Sequence, residues 1–377
     1  MKFTCTQENL VQGLSIVSHI SGKSVNLPIL GNVLLKTEGG NLKLSATNLE
    51  IAVSTLVRGK VEVDGECTVP AKLFLDYISL LPQGKVNLEY LEEGLRVEAQ
   101  GQETIIRGMN SQEFPLIPRL AKSKTASCKA ADVRRAILQV VFAASTSESR
   151  PELSGVACYF GGVAGQGNTA FAATDGYRLA ERVIPFTGSA FDSVIIVPSR
   201  TMLEASRILT SYKDELGVPE DVEWALAENQ LVMTYGNTEL VSRLIEGAFP
   251  DYRNFIPSQF KSESLVDRSE IQKAVKSAAL FSRQGFYDVH LHVSASDSSV
   301  SIHSADQGTG KTQSVIPAAV TGEDAELVVN FKYLSDALSA LSTAKIKMNM
   351  NDAMSPMLVL PESGDEQYRC LVMPIRN

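Results

Sequence analysis

Three stretches of the chain share one form and recur about 130 residues apart: TVPAKLFLDYISLLP (68–82), IVPSRTMLEASRILT (196–210) and VVNFKYLSDALSAL (328–341). Each runs from a short apolar strand into an amphipathic helix. The period is that of a domain rather than of a solenoid repeat. The 377 residues are therefore expected to fold as three versions of one unit.

Two further triplets keep the same order. TQENLVQGLSIVSHIS (6–21), KAADVRRAILQVVFAAS (129–145) and DRSEIQKAVKSAALFS (267–282) carry apolar residues at helical spacing, as in Leu10, Leu14 and Val17. LSATNLEIAVSTLV (44–57), FAATDGYRLAERVI (171–184) and IHSADQGTGKTQSVI (302–316) read as strand, turn, strand, with Asn48, Asp175 and Asp306 in the turns. Each repeat thus has two helices and a large share of antiparallel strand, an α+β class. Polar, Ser/Lys-rich segments at 119–127 and 258–265 follow the matching phrases QEFPLIP (112–118) and GAFPDYRNFIP (247–257). They place domains at 1–124, 125–257 and 258–377.

Composition narrows the function. A net charge of -8 argues against a generally basic nucleic-acid binder, though not against one basic face. Cys5, Cys67, Cys128, Cys158 and Cys370 are odd in number, far apart and without C-x-x-C spacing, and so read as reduced, mostly buried thiols. The start has no uninterrupted apolar region of a signal peptide, and no apolar run approaches membrane-spanning length. A cytoplasmic location is the expectation. His290 and His292 alternate in YDVHLHVS and share a strand face. No Cys or carboxylate joins them at ligand spacing, so a solvent-facing pair is expected rather than a metal site, and no cofactor is implied.

One motif points elsewhere. In SADQGTGKTQS (304–314), the run from Ala305 is one residue short of a phosphate-binding loop, with Lys311 and Thr312 in the Lys-Thr positions. Such a loop needs a helix after its glycines, so that helix amides hold the phosphates. Here a strand-like QSVIPAAV follows, broken by Pro317. A hairpin is the better reading. A nucleotide hydrolase stands as the enzyme alternative, and a peptide-binding scaffold that forms no ring as a second.

NLPILGNVLLK (26–36), ATDGYRLA (173–180), LIEGAFPDYRNFIP (244–257) and the final LVMPIRN resemble the bacterial DNA polymerase III sliding-clamp family, in order and over the whole chain. The resemblance implies three domains, each with two helices on antiparallel sheets. It also implies two subunits joined head to tail into a ring, without catalytic activity. The implied partners are double-stranded DNA bound without sequence specificity, a second copy, the replicative polymerase subunit, the clamp loader and other proteins carrying a clamp-binding motif.

The second helix of each repeat opens with one cation, Lys72, Arg200 or Lys332. The helix dipole opposes a cation there, so its recurrence suggests contact with phosphate. The local alternative is a salt bridge to Asp76, Glu204 or Asp336, four residues on, in the poorer orientation. Arg207 shares a helical face with Arg200, and Arg150 matches a basic position of the family. The family's partner-peptide pocket carries over onto Leu153, Thr174, Gly176, Tyr177, Arg178, Leu179, Pro250, Phe255, Ser355, Val372, Met373, Pro374, Ile375 and Arg376. The opposing reading makes Val372 and Met373 core residues of a last strand. Tyr177 stands where the family often has His, Phe255 where a smaller aliphatic is common and Asn254 where a basic residue is frequent. Family elements that join subunits place Ile106, Leu280 and Phe281 at the ring contact.

Overall fold

The computed structural model describes the chain except residues 23–26, 118–123, 148, 162–163, 166, 189–193, 213–218, 228, 363–366 and 376–377. The first of the two domain limits read from sequence directly follows 118–123, and Arg376 lies outside the described residues.

Among the described residues six α-helices fall where the repeats place them: α1 (Gln7–Ser18), α2 (Ala71–Leu80), α3 (Ala130–Val140), α4 (Ser199–Ser211), α5 (Arg268–Ala279) and α6 (Phe331–Ser339). Side chains at the N-caps satisfy amides that a helix leaves unpaired. Thr6 accepts from Asn9 N–H, Asp267 from Ser269 and Glu270, and Asn330 from Lys332. The bond from Glu270 N–H first, then that from the Ser269 hydroxyl, hold the Asp267 carboxyl below its usual range.

The chain divides into two compact units. The first comprises Met1–Arg134, Thr187–Ser189 and Glu204–Leu244. It holds a five-stranded sheet ordered Lys60–Val63, Lys2–Thr6, Lys85–Leu91, Gly94–Ala99, Gln102–Ile106. A nine-stranded sheet in the same unit unites strands of the first and second repeats. They meet where Ile51–Val57 pairs antiparallel with Thr238–Arg243. A buried hydroxyl chain crosses that joint, Tyr212 to Thr238 at 2.6 Å and Thr238 to Thr55 at 2.8 Å. Leu10, Leu14 and Val17 of α1 are fully buried, each stabilising the fold by about 1.5–3 kcal/mol. Gly13 lets that helix approach the sheet, since a Cβ there would meet Val57 Cγ2 at 2.5 Å.

The second unit comprises Arg135–Phe186, Ala190–Leu203 and Ile245–Asn377. Its twelve-stranded sheet unites the second and third repeats where Arg178–Pro185 pairs antiparallel with Tyr368–Val372. Ile271 and Val275 of α5 and Leu334 and Leu338 of α6 are buried in it.

Several strand edges stay open among the described residues, and two of them lie in strands whose counterparts in the other repeats are paired on both sides. Gln102–Ile106 pairs only with Gly94–Ala99. The long strand Gly310–Gly322 pairs on one side with Ser299–Asp306 through residues 310–317, and reaches Ser262–Asp267 only through residues 318–322. All five cysteines are free and buried, and burial pushes the Cys5, Cys67 and Cys370 thiols up to about 12. Among the described residues no helix is long and apolar enough to cross a membrane.

A candidate peptide groove and three helix-start cations

The second unit contains a groove of about 270 Å³, lined by Arg150, Leu153, Thr174, Gly176, Arg178, Leu179, Pro250, Tyr252, Phe255, Leu371 and Met373. Its base is a hairpin. Asp175 Oδ1 accepts from Tyr177 N–H at 2.9 Å and from Arg178 N–H at 3.0 Å. Gly176 takes a φ of +91°, which favours glycine. The turn sends Leu179 back beside Thr174, and Leu371 joins them as the cross-strand partner of Leu179. Pro250, Tyr252 and Phe255 form the facing wall from the segment that precedes the third repeat.

Arg178 is held from several sides. Its guanidinium pairs with Asp175 at 3.0 Å and with Asp336, and lies 4.7 Å from the Tyr333 ring centroid and 5.4 Å from that of Phe142. Two carboxylates and two aromatic faces fix it as a wall. Apolar walls with a few directed polar groups suit apolar side chains of a short peptide.

Eight residues read from sequence meet here: Leu153, Thr174, Gly176, Arg178, Leu179, Pro250, Phe255 and Met373. The other described ones do not line the groove. Val372 is fully buried, because strand residues alternate faces and Leu371 takes the groove side. The two readings of Val372 and Met373 thus divide: the first is core, the second groove. Tyr177 is 64% exposed and stacks on Tyr333 with centroids 6.5 Å apart. Ser355 belongs to a turn, its N–H donating to Asp352 O at 3.2 Å. Pro374 and Ile375 lie along the strand Ala325–Asn330, bridging Val329 and donating to Val328 O at 2.8 Å. Arg150, expected to contact DNA, lies in the groove lining and pairs with Glu152 at 3.1 Å.

Lys72, Arg200 and Lys332 each occupy the second position of their helix and are exposed. The local salt bridges do not form among the described residues. Glu204 binds His19 Nδ1 at 2.8 Å and Arg207 instead, and Asp336 binds Arg178. Lys332 Nζ sits 3.4 Å from the Tyr287 ring centroid. Arg207 is different. It donates to Ser15 O at 3.0 Å and to Ile16 O, and pairs with Glu204. Those carbonyls belong to the last turn of α1, which no intrahelical amide satisfies. Arg207 therefore closes a helix end instead of standing free for phosphate.

The sequence matches the DNA polymerase III beta subunit across its length: the N-terminal domain over residues 1–118, the central domain over 127–251 and the C-terminal domain over 253–376. The chain belongs to the beta sliding clamp family. A beta sliding clamp of Synechococcus elongatus is 30% identical over 383 residues, covering 100% of this chain and 99% of that one. The crystal structure of the DNA polymerase III subunit beta from Pseudomonas aeruginosa superposes with a TM-score of 0.89 at 27% identity, each chain covered 100%. A clamp from the same organism bound to griselimycin gives 0.91 at 26% identity, again with both chains covered 100%. The function is that of a DNA sliding clamp.

The clamp fold also decides the remaining motif. Residues 304–314 lie in a hairpin in which Asp306 pairs with Gly310 across the turn, and Asp306 Oδ1 accepts from Gly308 N–H at 2.9 Å. A strand follows where a phosphate loop requires a helix, so Lys311 and Thr312 are hairpin residues. At the expected ring contact of the clamp, Leu280 is 75% exposed. Ile106 is buried inside its own unit, and the exposed apolar side chain of that strand is Ile105. Which of the two isoleucines faces out follows from strand parity, which the short run ETIIRG does not declare.

Two groove residues escaped the sequence reading, Leu371 and Tyr252. Parity with Val372 is a usable signal for Leu371. For Tyr252 the signal is length: between the shared Phe-Pro and Ile-Pro, the segment before the third repeat carries DYRNF where the one before the second carries only Leu116.

Proposed function

We propose that two copies of this clamp join head to tail into a ring of six domains around duplex DNA. The groove then tethers the replicative polymerase subunit, the clamp loader and other partners by short peptide segments. One observation carries the reading. Inside the chain, corresponding strands join neighbouring repeats twice: Ile51–Val57 with Thr238–Arg243, and Arg178–Pro185 with Tyr368–Val372. The third members of these two series are the 310–317 stretch and Gln102–Ile106, both of them open edges. Pairing them between copies would complete the series and leave neither edge unpaired. Phe281 stands next to the first of them, within 3.9 Å of where a Cβ on Gly310 would lie.

Domain limits of 1–124, 125–257 and 258–377 fit this scheme. The exposed Lys72, Arg200 and Lys332 would meet phosphate without reading bases. Because a closed ring is retained by topology, few such contacts suffice, which accommodates a net charge of -8. The role is non-catalytic and the location cytoplasmic. The groove is also the natural seat for griselimycin.

The test is retention on DNA. Loaded protein should stay on nicked circular DNA and run off after linearisation. Equal loss from both would exclude a ring.

A further inference from the structure

We infer that Glu181 is a positioning residue for the groove: it pins the facing wall, and so sets peptide affinity without touching the peptide. The inference rests on the peptide-groove reading. Glu181 is 3% exposed and lies on the strand that carries Arg178 and Leu179. Its carboxylate accepts from the Tyr252 hydroxyl. Arg369 Nε stands 3.1 Å away and Arg253 Nε 3.8 Å away. Three elements that build the groove thus converge on one carboxylate: its own strand, the strand of Leu371, and the segment of Pro250, Tyr252 and Phe255.

That segment needs such an anchor. Among the described residues it pairs with no strand, and its one regular element is the 3-10 turn Arg253–Phe255. The Tyr252 ring packs edge-on against Tyr159 at 5.9 Å and Phe249 at 6.2 Å. The Arg253 guanidinium lies 4.9 Å from the Tyr159 ring and 5.3 Å from that of Tyr252. Ring packing alone allows sliding, whereas a charged hydrogen bond fixes distance and direction.

The other joint within the chain shows what happens without the device. By the shared turn geometry, Ser54 in the first repeat corresponds to Glu181 in the second: Thr47 pairs with Ala52 as Thr174 pairs with Leu179. Ser54 Oγ simply bonds Ser45 Oγ at 2.8 Å. The segment following the first repeat also lacks the counterparts of Tyr252 and Arg253. Carboxylate and Tyr-Arg occur together in the joint with the apolar groove and are both missing from the other, as expected of parts that work as one.

The experiment uses the full chain, griselimycin as probe, and four proteins: wild type, Glu181→Gln, Tyr252→Phe and the double variant. Gln keeps the shape of Glu181 without its charge, and Phe keeps the packed ring without its hydroxyl. Wild type should bind, with affinity lost in Phe255→Ala. Glu181→Gln and Tyr252→Phe should each weaken binding about five- to twenty-fold, and the double variant should be scarcely weaker than Tyr252→Phe, because both remove the same charged hydrogen bond. Once loaded, the Glu181→Gln protein should stay on circular DNA as wild type does. If wild type fails to bind, or binds independently of Phe255, the groove reading falls and the positioning role with it. If wild type binds through the groove but both variants stay within twofold, the positioning role alone is overturned. Additive losses together with lost DNA retention would mean that Glu181 merely supports the fold.

Discussion

The Arg207 guanidinium donates to the Ser15 carbonyl oxygen at 3.0 Å, joining α4 to the last turn of α1. That bond gives Arg207 a structural task, which the exposed helix-start cations Lys72, Arg200 and Lys332 do not share.

Arg207→Ala should therefore lower stability. It removes charge-assisted bonds to two α1 carbonyls and leaves the buried Glu204 carboxylate, 4% exposed, with His19 in place of its two partners. Hydrogen bonds to charged groups contribute about 1.5–3 kcal/mol, so the Tm by calorimetry should fall by several degrees. The salt dependence of DNA binding should stay as in wild type.

Lys72, Arg200 and Lys332 should behave in the opposite way. Replacing each by Ala should leave Tm within a degree or so and flatten the plot of log affinity against log salt. Each lost phosphate contact removes about 0.9 from the slope on duplex DNA. The effect should not depend on base sequence. A strong base preference in wild type would contradict the sliding mechanism.

The free strand edges make a prediction about assembly. Leu280→Ala with Phe281→Ala, or Ile105→Asp alone, should shift sedimentation from dimer towards monomer while each chain stays folded. Ile106→Ala should instead act on the fold, by about 2–5 kcal/mol for an emptied core position, because its side chain is already buried. An Ile105→Asp protein that sediments as an unchanged dimer would show that the edges are not the contact.

For the groove, Met373→Ala and Phe255→Ala should each weaken partner-peptide binding by tenfold or more, the loss typical of a central apolar anchor, with little change in melting. Deleting residues 373–377 is a coarser test. It also removes the Ile375 bond to Val328 and the Pro374 bridge to Val329, so it should abolish binding and lower the melting temperature together.

The third repeat should weaken in acid. His290 stacks on His303 across two strands, centroids 4.6 Å apart. Burial first, then His303, hold the His290 imidazole below its ordinary value. Asp288 and Glu326 oppose this, and Arg283 adds to it. A base whose pKa is depressed on folding binds protons more readily when unfolded. Stability is thus present above about pH 6.5 and is lost as pH falls through the folded value. The slope should approach, at most, about 1.4 kcal/mol per pH unit for one proton. Denaturation at several pH values should show His303→Gln flattening that slope.

The sequence disclosed the helices and the threefold plan because both rest on periodicity, which survives divergence: α2, α4 and α6 begin where the repeats align. It disclosed the groove as a place but not as a surface. Leu371 against Val372 and Ile105 against Ile106 are choices of strand parity, set by a partner strand far away in the chain. Arg207 and Lys332 look alike in a helix, and only the neighbouring α1 carbonyls distinguish them. Tyr252 and Arg253 could be seen only by comparing the two segments that end in Ile-Pro.

The buried thiols bear on how this molecule can be studied. With all five cysteines inside the protein and burial pushing three of their thiols up to about 12, reagents that attack thiolates will find almost nothing to react with in the folded chain. The native background is silent. A single cysteine introduced at an exposed position such as Leu280 would be the one reactive handle, so a dye or a cross-linker can report on subunit contacts without first stripping the chain of its own cysteines.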